Sequence, residues 1–197
     1  MPYITLPDGI PGIRSLAQYR PDTGKPLYEL AQTLLRGSPS GGTLTPAERE
    51  LIAASVSQQN QTDFCRNSHA AAARYLYGDR RDLVDQTLAD PATAPVSPKL
   101  RALLTIAAHT TADARTVSDD LVEAARAAGA TDLDIHDAVL IAATFCLFNR
   151  YVDGLATLTP TDPAAYEAMG ERMGTLGYVS PVTTGADASA GSPTHSS

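Results

Sequence analysis

Apolar residues recur every three or four positions along most of the chain, and the segments between them carry helix start and stop signals. The stretch TPAE at 45–48 supplies a capping residue, a proline at the first helical position and a capping-box glutamate. It predicts a helix that runs to about Gln59. No stretch alternates apolar and polar residues between turn signals, so we predict an all-α helical bundle. Further helix starts are predicted at Thr62, Ser97, Ser118, Thr131 and Asp162.

The two ends of the chain depart from this pattern. Residues 1–25 hold four prolines and three glycines, a density of fixed and permissive backbone that predicts an extended N-terminal arm. Residues 179–197 are poor in large apolar groups and rich in Ser, Thr, Gly and Ala, which predicts a disordered tail. We therefore place a single helical domain at residues 26–178.

Composition and charge narrow the choice of partners. Apolar residues make up 43% of the chain and charged residues 19%, as in ordinary globular proteins. The net charge of −7, without any Lys/Arg cluster, argues against nucleic acid as a partner. No apolar run approaches the roughly 20 residues of a membrane-spanning helix, and no basic segment followed by an apolar one opens the chain. We expect a cytoplasmic protein that binds neither nucleic acid nor membrane.

Cysteine usage fits a reducing compartment. Cys65 and Cys146 stand far apart and do not form a disulfide framework. The two cysteines and four histidines show none of the paired spacings of a structural zinc site. We expect neither a metal nor another cofactor.

The stretch NQTDFCRNSH contains the strongest candidate chemistry. On a helix, Cys65 and His69 lie one turn apart on one face. If Asn60 or Thr62 caps that helix, Cys65 falls in the first turn, where free N–H groups and the helix dipole lower a thiol pKa. His69 can then accept the thiol proton. A buried, unreactive thiol is the alternative interpretation, and it is common for an isolated cysteine in an alanine-rich helix.

Other polar residues are candidates for the same pocket. Glu50 lies on the preceding predicted helix and orients His69 if the two helices pair as a hairpin. Asn149 and Asp153 are spaced as partners one turn apart at the end of an otherwise apolar helix. This spacing favours structural hydrogen bonding, with a place in the pocket wall as the alternative.

The stretch ERELIAASVSQQNQTDFCRNSH resembles the core of the alkylhydroperoxidase D-like, or carboxymuconolactone decarboxylase, family, in its peroxidase-related branch. The pattern of that branch is a glutamate, a helix ending in Asn, Cys-x-x-Cys, and a histidine four residues after the second cysteine. Glu50, Asn60, Cys65 and His69 match it in order and spacing. The later stretch DIHDAVLIAATFCLFNRYVDGL is also similar, and the resemblance covers roughly residues 1–178.

The resemblance implies an all-helical, AhpD-like fold that assembles as a dimer, trimer or hexamer of identical chains. It also implies reduction of hydroperoxides, in which the second motif cysteine becomes a sulfenic acid and the first resolves it as a disulfide. Carried over, Cys65 takes the peroxidatic place, and His69 with Glu50 relays protons. Thr62 stands where the resolving cysteine would be.

Because threonine cannot form a disulfide, several outcomes stay open. An external thiol reductant resolves Cys65, or Cys146 does so, although its apolar surroundings favour a buried core thiol. Alternatively, His69 and Glu50 serve a non-redox decarboxylase, isomerase or dehydratase reaction, for which the sequence shows no set of carboxylate-binding arginines. A non-catalytic helical oligomer or small-molecule-binding module is the remaining alternative.

Overall fold

A computed structural model describes residues 1–37 and 42–178 of the 197-residue chain. Over these residues it contains α-helices and two short 3-10 turns, and no strand. The predicted all-α class is confirmed, and the predicted tail at 179–197 lies outside the described residues. The helices are α1 Ile13–Tyr19, α2 Pro21–Arg36, α3 Pro46–Gln59, α4 Asp63–Tyr77, α5 Asp82–Ala89, α6 Pro98–Asp113, α7 Asp119–Ala127, α8 Asp132–Gly154 and α9 Pro163–Leu176.

The N-terminal region is helical where the composition predicts an extended arm. The prediction for residues 1–25 is wrong from α1 onward, because Leu16 is completely buried in the fold and α2 continues through Pro26. Gly24 lies where these two helices cross, and a Cβ atom there would be 2.6 Å from the Cα of Ala17. The glycine permits a close helix contact, so packing overrides the irregular backbone that the local composition suggests.

The structure contains capping hydrogen bonds at helix starts that the sequence predicts. At the start of α3, the Glu48 N–H donates to the Thr45 hydroxyl, and the Thr45 N–H donates to the Glu48 carboxylate over 2.8 Å. This reciprocal pair satisfies backbone groups that a helix terminus otherwise leaves unpaired. Side chains cap four further helices at predicted positions: Ser97, Ser118, Thr131 and Asp162.

The helical hairpin of α3 and α4 forms the centre of the fold. α3 packs against α8 and α6, while α4 packs against α9. Only Asn60, Gln61 and Thr62 connect the two helices, and Gln61 adopts a φ of 61° to close the turn. The hairpin therefore places one face of α4 opposite α3, at a short distance from α8 and α9.

A buried ion pair fixes the position of α3. The guanidinium of Arg49, 2% exposed, lies 2.7 Å from the carboxylate of Asp137 on α8. It also donates to the carbonyl oxygens of Leu34 and Leu44, over 2.8 and 3.2 Å. A buried cation is stable only when its donors are used in this way. These contacts connect α2, α3 and α8 beside the next residue, Glu50.

One helix of the described residues, α8, is long and apolar enough by composition alone to cross a bilayer, and half of that stretch is buried inside the fold. Its inner face carries buried aromatic and small residues together with the carboxylates of Asp134 and Asp137. Asp134 accepts hydrogen bonds from the backbone of Thr43 and Leu44. α8 is thus a core helix of the bundle.

A close contact between α9 and α4 leads to a test of the packing. A Cβ atom at Gly170 would lie 2.5 Å from the carbonyl carbon of Ala71, so Gly170→Ala forces the two helices apart. Although alanine is favoured over glycine in a helix by about 1 kcal/mol, we expect overpacking to lower the free energy of unfolding by about 1–3 kcal/mol. Urea denaturation measures it.

Gly154→Ala is the matched control. This glycine ends α8, and nothing lies within 4 Å of the position that a methyl group would take, so the substitution should leave stability unchanged or slightly raised. Equal urea midpoints for the two variants would contradict the close contact.

Candidate active site

The α3–α4 hairpin brings together the three residues that the sequence singled out. Glu50 is completely buried on α3, and its Oε2 lies 2.7 Å from Nδ1 of His69 on α4. Cys65 and His69, one turn apart on α4, both line a cavity of about 60 Å³. The pairing of Glu50 with His69 that the hairpin required is therefore present, and His69 lines the same cavity as the thiol.

Tyr178, two residues beyond α9, completes this polar group. Its hydroxyl donates to Oε1 of Glu50 over 2.7 Å and lies 3.2 Å from Nδ1 of His69. Its ring is stacked on the imidazole, with centroids 6.1 Å apart and an interplanar angle of 13°. Burial and the adjacent Glu50 charge raise the pKa of Tyr178 well above its ordinary value, so the hydroxyl stays protonated.

Nothing in the sequence around Tyr178 marks it as a site residue. It stands next to the predicted tail, 109 positions from His69. Its one distinguishing feature is that it is an aromatic residue just after the last predicted helix, followed by a stretch made largely of small residues. Its position depends on the packing of α9 against α4, which no local pattern shows.

The hydrogen bonds around Glu50 define which nitrogen of His69 is open to a ligand. The Glu50 carboxylate accepts from the Tyr178 hydroxyl and from Nδ1–H of His69. Nε2 then carries the lone pair and has no partner among the described residues. The edge of the ring packs on Phe145, with centroids 4.5 Å apart at 85°, which fixes its orientation. This is the arrangement of an oriented general base.

Cys65 is a buried, protonated thiol. It is 3% exposed, and burial raises its pKa to about 12. The negative charge of Asp153 acts in the same direction, while the amide of Asn149 opposes it. The expected lowering by the start of α4 is therefore wrong, because removal of the thiolate from water outweighs the helix dipole. Apolar neighbours surround the sulfur, among them Leu16, Phe64 and Val152.

Thr62, the residue at the expected resolving position, has a defined structural contact. It occupies the N-cap position of α4, but its side chain accepts no capping hydrogen bond. Its hydroxyl, 1% exposed, donates instead to the carboxylate of Asp153 on α8. This bond positions the carboxylate that disfavours the Cys65 thiolate.

Asn149 links the end of α3 to α8 next to Cys65. Its Oδ1 accepts from the Asn60 amide over 2.9 Å, and its own amide donates to Ser57 over 3.1 Å. The Asn60 amide also lies 3.5 Å from the sulfur of Cys146. Cys146 packs against the large core and Cys65 belongs to the smaller cluster, and both thiols are free. Resolution by Cys146 stays a prediction.

Two comparisons place this fold and site among known proteins. The sequence profile of the carboxymuconolactone decarboxylase family matches residues 21–108, which include Glu50, Cys65 and His69. The resemblance to this family is confirmed. Asn149, Asp153 and Tyr178 lie outside the matched stretch, so the family match covers only the hairpin side of the site.

Two solved structures share the fold over most of their length. The first is described as an alkylhydroperoxidase AhpD core, an uncharacterized peroxidase-related protein from Ralstonia eutropha JMP134. It is 28% identical over 82% of either chain, with a TM-score of 0.71. The second, an uncharacterized peroxidase-related protein from Silicibacter sp. TM1040, is 25% identical over 82% of this chain and 81% of the other, with a TM-score of 0.71. No protein with a curated description matches significantly.

The state of the thiol can be measured directly. In a Cys146→Ser background, alkylation of Cys65 by iodoacetamide should be slower at pH 7 than that of free cysteine. Because burial favours the neutral thiol, the rate should rise only at pH values well above the free-cysteine pKa of about 8.5, toward the pKa of about 12.

Asp153→Asn serves as the directional control for this titration. Removal of its charge should move the alkylation midpoint to lower pH, since that charge raises the Cys65 pKa. Circular dichroism at each pH verifies that the fold is intact. A wild-type midpoint below about 8.5 would contradict a buried, neutral thiol.

Proposed function

We propose that the protein reduces small hydroperoxides through Cys65, as a thiol peroxidase with a single cysteine in its motif. The observation that carries the proposal is the Glu50–His69–Tyr178 group, hydrogen-bonded over 2.7 Å contacts beside the Cys65 cavity. A buried thiol needs a base to become a nucleophile, and an oriented imidazole is such a base. The names of the two similar structures, which call those proteins peroxidase-related, support this choice.

The first half-reaction needs only groups in this cavity. Nε2 of His69 takes the thiol proton while the sulfur attacks the nearer peroxide oxygen. The S–O bond forms as the O–O bond breaks, and the imidazolium returns the proton to the departing oxygen. The products are an alcohol, or water from hydrogen peroxide, and a sulfenic acid on Cys65. Glu50 stabilises the transient imidazolium across its 2.7 Å contact.

The second half-reaction needs an external thiol. Thr62 cannot attack the sulfenic acid to form a disulfide, and its hydroxyl is bonded to Asp153. A small thiol can condense with the sulfenic acid, releasing water and leaving a mixed disulfide. A second thiol then attacks that disulfide, restores Cys65 and leaves as the oxidised dimer.

A second candidate is a non-redox proton-transfer enzyme, such as a decarboxylase, isomerase or dehydratase. One observation favours it: the pKa of Cys65 is raised to about 12, so the thiol is a poor nucleophile at rest. In that case His69 and Glu50 handle a substrate proton, and Cys65 only forms part of the pocket wall. The two candidates make opposite predictions for loss of the sulfur.

The deciding experiment is peroxide consumption with a small thiol donor. We expect Cys65→Ser to abolish turnover, because hydroxyl does not replace thiol in this redox step. His69→Ala should reduce it about 10²–10⁴-fold through loss of the general base. Dimedone should trap a sulfenic acid on Cys65, detectable by mass spectrometry.

Cys146→Ser is the matched control and should retain turnover if an external thiol resolves the sulfenic acid. Undiminished peroxide turnover in Cys65→Ser would overturn the proposal. A non-redox activity that survives Cys65→Ser and disappears in His69→Ala would establish the second candidate instead. Assembly into a homo-oligomer, which the resemblance implies, stays a prediction that light scattering tests.

The contribution of Tyr178 can be separated from that of the thiol. Tyr178→Phe keeps the stacked ring and removes one donor to Glu50. We expect about a 5- to 100-fold loss of kcat, corresponding to about 1–3 kcal/mol for a buried acceptor left unpaired.

Tyr75→Phe is a suitable control, because that side chain is exposed and its hydroxyl accepts a hydrogen bond from Thr175, away from Glu50. It should leave kcat unchanged. A Tyr178→Phe variant with the wild-type kcat would show that the tyrosine only packs against the histidine.

A further inference from the structure

Two arginines that the proposed reaction does not use line the cavity beside Cys65. Arg14 comes from α1 and Arg172 from α9. Within residues 1–37 and 42–178, neither guanidinium takes part in a hydrogen bond or ion pair, and Nε of Arg172 is buried without a partner. Two cations with open donors thus lie at one small cavity in a protein whose net charge is −7.

The other inward-facing arginines behave differently. Arg49 is paired with Asp137 over 2.7 Å. Arg36 donates to the carbonyl oxygens of Met173 and Gly174, over 3.4 and 2.7 Å, at the end of α9. Arg36 and Arg49 thus have protein partners for their guanidinium groups. The half-buried Arg14 and Arg172 have none among the described residues, and an anionic ligand would supply the missing partner, above all for the buried Nε of Arg172.

Tyr28 lies near both of these arginines. It is 5% exposed, and burial raises the pKa of its hydroxyl to about 12, while the charges of Arg14 and Arg172 both lower it. Both guanidinium groups therefore lie near the Tyr28 hydroxyl. That hydroxyl stays protonated and adds a third donor to the same side of the cavity.

The remaining lining excludes a protein carboxylate as the partner. Among the described residues, no aspartate or glutamate lines the cavity. Both oxygens of the nearby Glu50 are used by His69 and Tyr178. The rest of the wall is largely apolar and includes Ile13, Leu27, Phe148, Met169 and Met173.

We propose that the cavity binds a small organic carboxylate, whose charged group is held by Arg14, Arg172 and Tyr28 and whose apolar part lies toward Cys65 and His69. The planar fork of a guanidinium matches the two oxygens of a carboxylate. The apolar wall and the volume of about 60 Å³ favour a short carbon chain over a multiply charged, strongly hydrated phosphate. If the bound carboxylate is the substrate, the proposal rests on the proposed function. The substrate class is in that case a short carboxylic acid that bears a hydroperoxide.

Binding is tested without turnover, on the full chain, by NMR titration at constant ionic strength. The probes are propionate, butyrate, the neutral match propionamide, and inorganic phosphate. We expect the carboxylates to bind at least tenfold more tightly than propionamide or phosphate. Arg172→Met and Arg14→Met, which keep the apolar length of the side chain, should each weaken carboxylate binding at least tenfold and leave propionamide unchanged.

Arg115→Met is the control, because that side chain is 90% exposed and paired with Asp113 away from the cavity. Arg172→Lys keeps the charge without the fork and should bind carboxylate with intermediate affinity, which guards against misfolding of the methionine variants. Equal affinity for propionate and propionamide, tighter binding of phosphate, or carboxylate binding unchanged in Arg172→Met would overturn the proposal.

A peroxidase assay then separates this proposal from the function on which its substrate class rests. With a short hydroperoxy carboxylic acid, Arg172→Met should raise KM at least tenfold, while KM for the methyl ester of that acid stays constant. Carboxylate binding that depends on Arg172 without any peroxide turnover would refute the peroxidase alone. Turnover through Cys65 with equal KM values for acid and ester would refute the carboxylate site alone.

Discussion

The site depends on the hydrogen bonds that the buried carboxylate of Glu50 accepts. A charge removed from water is stable only when hydrogen bonds replace its hydration, and here His69 and Tyr178 provide them, each over 2.7 Å. These contacts connect α3, α4 and the segment after α9. The preceding residue, Arg49, binds Asp137 on α8. Two adjacent buried charges thus connect the hairpin to α8 and to the segment after α9.

Two opposing effects of different size, the helix dipole and burial, determine whether Cys65 is a thiol or a thiolate. The start of a helix favours an anion by about 0.3–1 kcal/mol. The rise in the Cys65 pKa from its ordinary value to about 12 disfavours the thiolate by several times that amount, at about 1.4 kcal/mol for each pKa unit. Burial therefore wins, and the thiol needs a base at the moment of reaction. In the proposed reaction the oriented His69 is that base, which links the high pKa of Cys65 to the hydrogen-bonded group of Glu50, His69 and Tyr178.

The cavity has two chemically distinct sides. On one side, Glu50, His69 and Tyr178 form a closed network in which only Nε2 of the imidazole remains open to a ligand. On the other side, Arg14 and Arg172 present donors without partners among the described residues. The rest of the cavity wall is largely apolar. Such a division is suited to a ligand that is anionic at one end and reactive at the other.

The features that could be predicted from the sequence are those that depend on local geometry. Capping residues and three-to-four spacing predicted the helices, and a spacing of four placed Cys65 and His69 on one face. The prolines and glycines of residues 1–25 led to the wrong prediction of an extended arm. Packing of Leu16 and the close contact at Gly24 determine the conformation of that segment instead. Only the tertiary structure showed the burial of the thiol and the convergence of Arg14, Arg172 and Tyr28 on the cavity. These depend on contacts between distant segments, whose free energy comes from desolvation and charge pairing rather than from any periodic pattern.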